Sequence, residues 1–149
     1  MGFDPRLVIL DTNIVLDTFV FNDPAAIPLR QALESGALRW IATAPMREEL
    51  ERVLAYPKIA KRLDFYQMQA ADVLAQFDTR VHTVEVAAKA TIICKDPDDQ
   101  KFIDLAVAHR VLVLSKDNAV LCMKKRLIAL GAQAQSAIEC IAIAVPDAS

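Results

Sequence analysis

Residues 7–13 read Leu-Val-Ile-Leu-Asp-Thr-Asn, four apolar residues in a row followed directly by an aspartate. An unbroken apolar run is typical of a strand that is buried on both faces of a parallel sheet. Residues 111–117 repeat the arrangement as Val-Leu-Val-Leu-Ser-Lys-Asp. Because α/β sheets bind ligands beyond the carboxyl ends of their parallel strands, the polar residues after these two runs are the first candidates for a functional site.

Extended and helical patterns alternate through the rest of the chain. Further strands are predicted at residues 38–42, 81–86 and 132–135. The helical periods predict helices at residues 24–34, 44–55 (with Thr43 as its cap), 59–77, 99–110, 118–130 and from Ser136 onward. This βαβ order predicts an α/β fold with a mostly parallel sheet. The length of 149 residues suits a single domain, residues 1–149.

The composition argues against several classes of protein. The chain has 17 lysines and arginines and 19 acidic residues, a net charge of −2. This charge does not fit a protein that binds nucleic acid mainly through a broad basic surface. Its apolar runs are far shorter than the roughly 20 residues of a membrane span. Asp4, Pro5 and Arg6 precede the first apolar run, unlike a secretory signal. The three cysteines form no Cys-x-x-Cys pair, and His82 and His109 are isolated, so we expect no zinc site and a cytoplasmic protein.

Asp11 and Asp117 each follow one of the two apolar runs. An aspartate at this place often caps the next helix. For either residue alone, helix capping explains its position as well as a role in a functional site does. Two aspartates at equivalent strand ends of one sheet, however, favour a shared site.

The helix predicted after the second strand turns one acid toward the core. At roughly 100° per residue, Glu49 lies at the margin of the apolar face, whereas Glu48 and Glu51 point away from it. A buried carboxylate needs a cation or another partner. The alternative to a functional role for Glu49 is therefore an ion pair with Arg47 or Arg52.

Residues 96–99 read Asp-Pro-Asp-Asp and open the next helix. On its helical wheel Asp99 lies on the same stripe as the apolar residues, whereas Asp104 lies about 140° away and is predicted to be a surface acid. Asp99 is also well placed to cap the helix, and an acid there is stabilised by the helix dipole. The two roles are compatible.

Four acids, Asp11, Glu49, Asp99 and Asp117, are thus predicted to meet at one edge of the sheet. Clustered carboxylates repel one another and raise each other's pKa unless cations are supplied. Oxygen ligands of this kind suit one or two Mg²⁺ or Mn²⁺ ions, which can activate water and stabilise charge on a phosphoryl oxygen. The three scattered glycines make no phosphate-binding loop, so phosphodiester hydrolysis is favoured over nucleoside triphosphate chemistry.

Four motifs follow one another over roughly residues 7 to 140: residues 7–13; Glu49-Leu50 with Val53-Leu54 and Pro57-Lys58-Ile59; Asp96-Pro97-Asp98-Asp99 with Phe102 and Ala106; and Ser115-Lys116-Asp117. In this order they resemble the PIN-domain ribonucleases, in particular the toxin components of prokaryotic toxin–antitoxin systems. A lone Asp-Thr-Asn is a weak signal, whereas the ordered set at these spacings is a strong one.

The resemblance implies a three-layer α/β/α sandwich with a five-stranded parallel sheet in the order 3-2-1-4-5. It implies an endoribonuclease that depends on Mg²⁺ or Mn²⁺ and hydrolyses single-stranded or structured RNA with metal-activated water. It also implies a small antitoxin protein as partner and, since many members dimerise, a homodimer.

The same resemblance assigns roles to individual residues. Asp11 becomes the central metal ligand, Glu49 and Asp99 complete the ligand set directly or through water, and Asp117 holds a second ion or an outer water. The supporting residues are Asn13 and Ser115, which position water or phosphate, and Asp96 as an extra acid.

One position departs from the family pattern. Lys116 stands where the subgroup commonly has glycine, so it could displace Asp117 or could instead contact substrate phosphate. Trp40 is predicted to lie in the core. Two groups of basic residues could follow an RNA backbone, although solvated helix faces are the favoured reading: Lys58, Lys61 and Arg62, and Lys124, Lys125 and Arg126.

Two other functions compete with a ribonuclease. A haloacid-dehalogenase-type phosphatase needs a second aspartate two residues after the first, and Asn13 stands there. A catalytically weak PIN scaffold that binds protein or RNA is the non-enzymatic alternative, and Lys116 is the one residue that hints at it. The apolar stretch of residues 137–145 is either core or interface.

Overall fold

The computed structural model describes residues 4–136. Its sheet consists of five parallel strands in the order β3-β2-β1-β4-β5. The two unbroken apolar runs supply β1 and β4, which lie side by side at the centre with Val8 opposite Leu112 and Leu10 opposite Leu114. The predicted strand order is therefore confirmed. The strands are β1 Leu7–Leu10, β2 Arg39–Ala42, β3 Val81–Thr83, β4 Leu112–Leu114 and β5 Gln133–Gln135.

Helices cover the sheet and complete the three-layer α/β/α sandwich. Helices α1 to α5 pack against one another, whereas α6 packs on β1 and β4 and against α8. Short 3₁₀ turns at Pro24–Ala26 and Pro97–Asp99 lead into α2 and α6. The helices are α1 Thr12–Phe19, α2 Ile27–Ser35, α3 Ala44–Leu54, α4 Pro57–Phe65, α5 Ala70–Arg80, α6 Gln100–His109, α7 Asn118–Leu121 and α8 Lys124–Ala129.

Several predicted elements differ in detail from the observed ones. The helix predicted at residues 59–77 is two helices, α4 and α5, because the chain turns at Gln67 with φ of 57° and a capping box of Gln69 and Asp72 starts α5. The helix predicted at 118–130 is likewise divided into α7 and α8. Thr43 precedes α3, but its side chain makes no capping hydrogen bond. Residues 137–149, which include most of the last predicted helix and the apolar stretch, lie outside the described residues.

The sequence patterns did not predict α1. It has eight residues, and six of them, Thr12 among them, are buried. A short helix that is buried on most sides has no clear apolar stripe for a 3.6-residue period to detect. This helix begins directly after Asp11 and therefore sets the direction in which the chain leaves the sheet edge.

Trp40 on β2 lies in the core, as predicted, with 1% of its surface exposed. Its ring is stacked on Phe19 at a centroid distance of 5.8 Å and meets the edge of Phe77 at 5.1 Å. These contacts join β2 to α1 and α5. Aromatic pairs of this geometry stabilise a core by about 0.5–1.5 kcal/mol each beyond the area they bury.

The prediction that Asp104 is a plain surface acid was wrong. Its side chain is half-buried on α6 and accepts hydrogen bonds from the backbone N–H of Ala90 and from Gln100 Nε2, both at 2.8 Å. Gln100 also accepts from Cys94 N–H at 2.7 Å and donates to the carbonyl oxygen of Ile92 at 3.1 Å. The chain between β3 and the Pro97–Asp99 turn covers this side of α6. Asp104 and Gln100 therefore anchor the segment that leads into Asp99.

Within residues 4–136, the structure contains no helix whose length and apolar character would let it cross a membrane.

Candidate metal centre

Three of the four predicted acids meet at the carboxyl edge of the sheet. Asp11, Asp99 and Asp117 each place a carboxylate oxygen within 4.8 Å of the other two. Asp11 follows β1, and its backbone N–H donates to the carbonyl oxygen of Leu114 at the end of β4, at 2.9 Å. Asp117 lies three residues beyond β4, and Asp99 ends the turn that opens α6. The adjacent central strands and one helix start thus bring the three side chains together.

Ser115 connects two of these acids. Its side chain is completely buried, and its hydroxyl donates to Asp11 Oδ2 at 2.6 Å. The same hydroxyl oxygen accepts the backbone N–H of Asp117 at 3.0 Å. One hydroxyl therefore orients the carboxylate of Asp11 and fixes the backbone that carries Asp117. Lys116, between them, does not displace Asp117 from the cluster.

The cluster carries uneven charge in the absence of a cation. Burial, followed by the hydrogen bond with Asp117 and the charge of Asp11, raises the pKa of Asp99 to about 8. The hydrogen bond from Asp99 lowers the pKa of Asp117, as does the N–H of Ala119. Burial also raises the pKa of Asp11, against the hydrogen bond from Ser115, which lowers it. Without a cation, Asp99 therefore holds a proton at neutral pH that it shares with Asp117.

Helix capping explains only part of this arrangement. Asp117 does cap α7, since its Oδ1 accepts from Ala119 N–H at 2.9 Å. Asp11 and Asp99 stand at the first turns of α1 and α6, but neither side chain makes a capping hydrogen bond. Asp96, predicted as an extra acid, caps the Pro97–Asp99 turn by accepting from Asp98 N–H at 2.9 Å. Two buried carboxylates thus lie at the cluster without a capping role.

Glu49 lies beside the three aspartates rather than among them. Its Oε2 accepts from the Thr12 hydroxyl at 2.8 Å, and its Oε1 forms an ion pair with Lys101 Nζ. The predicted position at the margin of the buried face is confirmed, as 17% of its side chain is exposed. The alternative of an ion pair with Arg47 or Arg52 was wrong about the cation, because Glu49 pairs with Lys101. Arg47 pairs with Asp78 at 2.7 Å.

Thr12 and Lys101 are site residues that the sequence patterns did not identify. Lys101 lies two residues after Asp99 on the first turn of α6 and contacts Glu49 from α3. The signal that could have found it is the need of a half-buried carboxylate for a cation. That need does not say which part of the chain supplies the cation, and here it comes from a helix far away in the sequence.

The remaining candidate residues lie around the cluster. Asn13 is exposed on the first turn of α1, and Lys116 forms an ion pair with Asp17 on the same helix. His82 and His109 are exposed, and neither belongs to the group of acids. The two groups of basic residues are exposed on α4 and α8, although Arg62 also lies over the Phe21 ring at 4.3 Å.

The donors of the cluster fit a hard divalent cation. The group consists of three carboxylates, the ligand type that Mg²⁺ and Mn²⁺ prefer. Oδ2 of Asp99 is buried, and none of the residues in 4–136 donates a hydrogen bond to it. A buried carboxylate oxygen without a donor must either share a proton or bind a cation. This oxygen is therefore available to a metal ion once the proton that Asp99 shares with Asp117 has left.

Comparison with known proteins points to one family. Residues 7–119 match the sequence model of the family described as PIN domain. The fold is similar to that of a chain in the crystal structure of VapBC2 from Rickettsia felis bound to a DNA fragment from their promoter. The two chains superpose with a TM-score of 0.57 at 14% identity, over 87% of this chain and 97% of that one. A likeness at this identity concerns the fold alone. None of the curated proteins that were compared with the chain matches it.

Proposed function

Because the chain belongs to the PIN-domain family, we propose that it is an endoribonuclease that depends on Mg²⁺ or Mn²⁺. The observation that carries the proposal is the group of Asp11, Asp99 and Asp117, whose oxygens lie within 4.8 Å of one another and include a buried oxygen without a donor. Such a group has the size and chemistry of a divalent cation site. Its place at the carboxyl edge of a parallel sheet is where α/β proteins bind substrates.

In this proposal Asp11, Asp99 and Asp117 are the residues that hold the metal. When bound, the ion supplies Lewis acidity for the phosphoryl oxygen and lowers the pKa of a water molecule. Ser115 keeps Asp11 in its ligand orientation through the hydrogen bond of 2.6 Å. Asp99 gives up its shared proton when a cation binds, so that both of its oxygens carry charge. Glu49, held by Thr12 and Lys101, is the carboxylate beside the ligand set and orients water there.

Other residues have supporting roles in the proposal. Asn13 is exposed next to the cluster and can donate a hydrogen bond to a phosphate oxygen. Lys116 leaves its partner Asp17 to contact phosphate, and Asp96 contributes by fixing the turn before Asp99. The basic residues on α4 and α8 supply a weak, salt-dependent contact with the RNA backbone.

The biological setting follows from the family resemblance. We propose that the protein is the toxin of a toxin–antitoxin pair, that it acts in the cytoplasm as a single PIN domain, and that it forms a homodimer and binds a small antitoxin protein. In support, the fold is shared with a chain of VapBC2. A non-catalytic scaffold receives no support from Lys116, because Asp117 remains in the cluster beside it.

Cleavage of a fluorescently labelled single-stranded RNA tests the enzymatic proposal. The wild-type protein should cleave it with Mg²⁺ or Mn²⁺ and not in chelator, and Asp11→Asn should lose the activity while remaining folded by circular dichroism. Asp98→Asn is the matched control, since its exposed carboxylate lies next to the cluster without belonging to it. Equal cleavage by Asp11→Asn and the wild type would show that the site is wrong.

The partner proposal has its own test. Co-expression with a short reading frame next to the gene should relieve growth inhibition caused by the wild-type protein and should yield a stable complex on purification. Growth inhibition that persists unchanged when Asp11→Asn replaces the wild type would contradict toxicity by RNA cleavage.

A further inference from the structure

Both oxygens of the Glu49 carboxylate are already engaged by residues of this chain. The Thr12 hydroxyl donates to Oε2 at 2.8 Å, and the Lys101 ammonium pairs with Oε1. Only 17% of the Glu49 side chain and 21% of the Lys101 side chain are exposed. The pair is therefore shielded from solvent, where a charge interaction is stronger than on an open surface.

The position of the Lys101 ammonium is fixed by three contacts. Besides Glu49, Nζ donates to the carbonyl oxygen of Asp98 and lies 5.1 Å from the centroid of the Phe102 ring. Lys101 belongs to the first turn of α6, where the helix dipole disfavours a cation. A lysine at this end of a helix needs compensation by nearby negative charge, which Glu49 provides.

The aspartates and Glu49 are consequently unequal as sites for a cation. Asp11, Asp99 and Asp117 form a group within 4.8 Å. Asp99 Oδ2 and Glu49 Oε1 are both buried without a regular hydrogen bond, but only the Glu49 oxygen has a protein cation, Lys101, beside it. Glu49 lies outside that group, and its negative charge is neutralised by a cation that belongs to the protein. A two-ion centre would place a second metal roughly 4 Å from the first, and that ion would need a further carboxylate with a free oxygen.

We propose that Lys101 takes the place of a second metal ion, so that the centre holds one divalent cation on the three aspartates. This inference rests on the proposed function and specifies the number of ions at that same site. The ammonium neutralises Glu49 and keeps its two oxygens directed toward Thr12 and α6. Lys101 is in this sense a positioning residue for Glu49.

Counting bound Mn²⁺ tests the proposal without any activity measurement. Equilibrium dialysis with quantification of Mn²⁺, supported by electron paramagnetic resonance of the free ion, should give one ion per chain for the wild type. Lys101→Arg, which keeps a cation, should also bind one. Lys101→Met, which keeps the side chain's length without its charge, should bind two. Lys89→Met, at an exposed lysine between β3 and α6, is the matched control and should bind one.

A second variant protects the test against misfolding of Lys101→Met. Glu49→Gln is nearly isosteric, and it should still bind one ion because Glu49 does not hold the metal. In cleavage assays, the rate should depend on the first power of Mn²⁺ concentration for the wild type. For Lys101→Met it should depend on the second power, so that this variant is slower than the wild type at low Mn²⁺ and regains much of the wild-type rate at high Mn²⁺.

The outcomes separate this inference from the proposed function. Two ions on the wild type, both lost in Asp11→Asn, would overturn the one-ion centre and leave the metal-dependent nuclease intact. If Lys101→Met binds one ion, or if Glu49→Gln loses an ion, the proposal that Lys101 takes the place of a second metal ion is also overturned. No bound Mn²⁺ on the wild type would overturn both proposals together.

Discussion

Replacing Asp99 by asparagine should remove a pH-dependent loss of stability from the metal-free protein. Burial and the hydrogen bond with Asp117 raise the pKa of Asp99 from 3.8 to about 8. Between these two values the folded state binds a proton that the unfolded state has released. The free energy of unfolding therefore falls as pH rises through this window, since stability rises with pH only where the unfolded state binds more protons.

The size of the effect follows from the same two values. One pKa unit corresponds to about 1.4 kcal/mol, so the interval from 3.8 to about 8 corresponds to at most about 6 kcal/mol, of which about 5 kcal/mol is lost between pH 4 and pH 8. The lowered pKa of Asp117 acts in the opposite direction, but at more acidic pH, outside most of this window. Asp99 is 5% exposed, so solvent screens little of this cost. The uncharged side chain of an asparagine at this position incurs none of it and can still donate a hydrogen bond to Asp117.

The assay is urea denaturation in chelator at intervals from pH 5 to pH 9, followed by far-ultraviolet circular dichroism. The wild type should lose stability steadily toward pH 8. Asp99→Asn should lose much less, since only the raised pKa of Asp11 still acts in that direction, so that the variant is the more stable protein at pH 8. Asp98→Asn should keep the wild-type slope, because its side chain is exposed. Parallel slopes for the wild type and Asp99→Asn would refute the argument that Asp99 holds a proton in the cluster.

Three further substitutions test the site and the core. Asp11→Asn should raise the melting temperature in chelator by a few degrees, because it removes a buried charge next to other acids and keeps the hydrogen bond from Ser115. If calorimetry shows an unchanged or lower melting temperature, the acids are not tightly clustered. Ser115→Ala should lower the free energy of unfolding by about 1–3 kcal/mol, measured by urea denaturation, and should weaken Mn²⁺ binding. The reason is that it leaves the Asp117 N–H without its acceptor and Asp11 without its donor. Ser115→Thr should retain both hydrogen bonds. Trp40→Ala should lower the free energy of unfolding by about 3–5 kcal/mol, because it removes the ring between Phe19 and Phe77. A loss below about 1 kcal/mol in the same assay would contradict the packing described for β2.

The features that could be predicted from the sequence depend on local periodicity. The unbroken runs before Asp11 and Asp117 predicted two central strands, and the rule for strand ends placed both acids at one edge of the sheet. The helical period alone placed Asp99 on a buried stripe and Glu49 at the margin of one. The strand order, in contrast, was expected from the family resemblance, because local patterns do not specify which strands are neighbours.

The features that could not be predicted depend on contacts between distant segments. Lys101 and Thr12 approach Glu49 from two other helices, and no spacing along the chain encodes that meeting. Asp104 was expected at the surface because its helical wheel does not include the segment around Ala90 that covers it. The short helix after Asp11 was missed because most of its residues are buried, which removes the amphipathic pattern.

We propose above that Asp11, Asp99 and Asp117 together hold a divalent cation. Crystals grown with Mn²⁺ at pH 8, examined by anomalous diffraction at the manganese absorption edge, test it most directly. We expect one anomalous peak at the carboxyl edge of the sheet, about 2.0–2.3 Å from carboxylate oxygens of the three aspartates. The absence of a peak there at saturating Mn²⁺, or a peak bound by Glu49 instead of the aspartates, would contradict it.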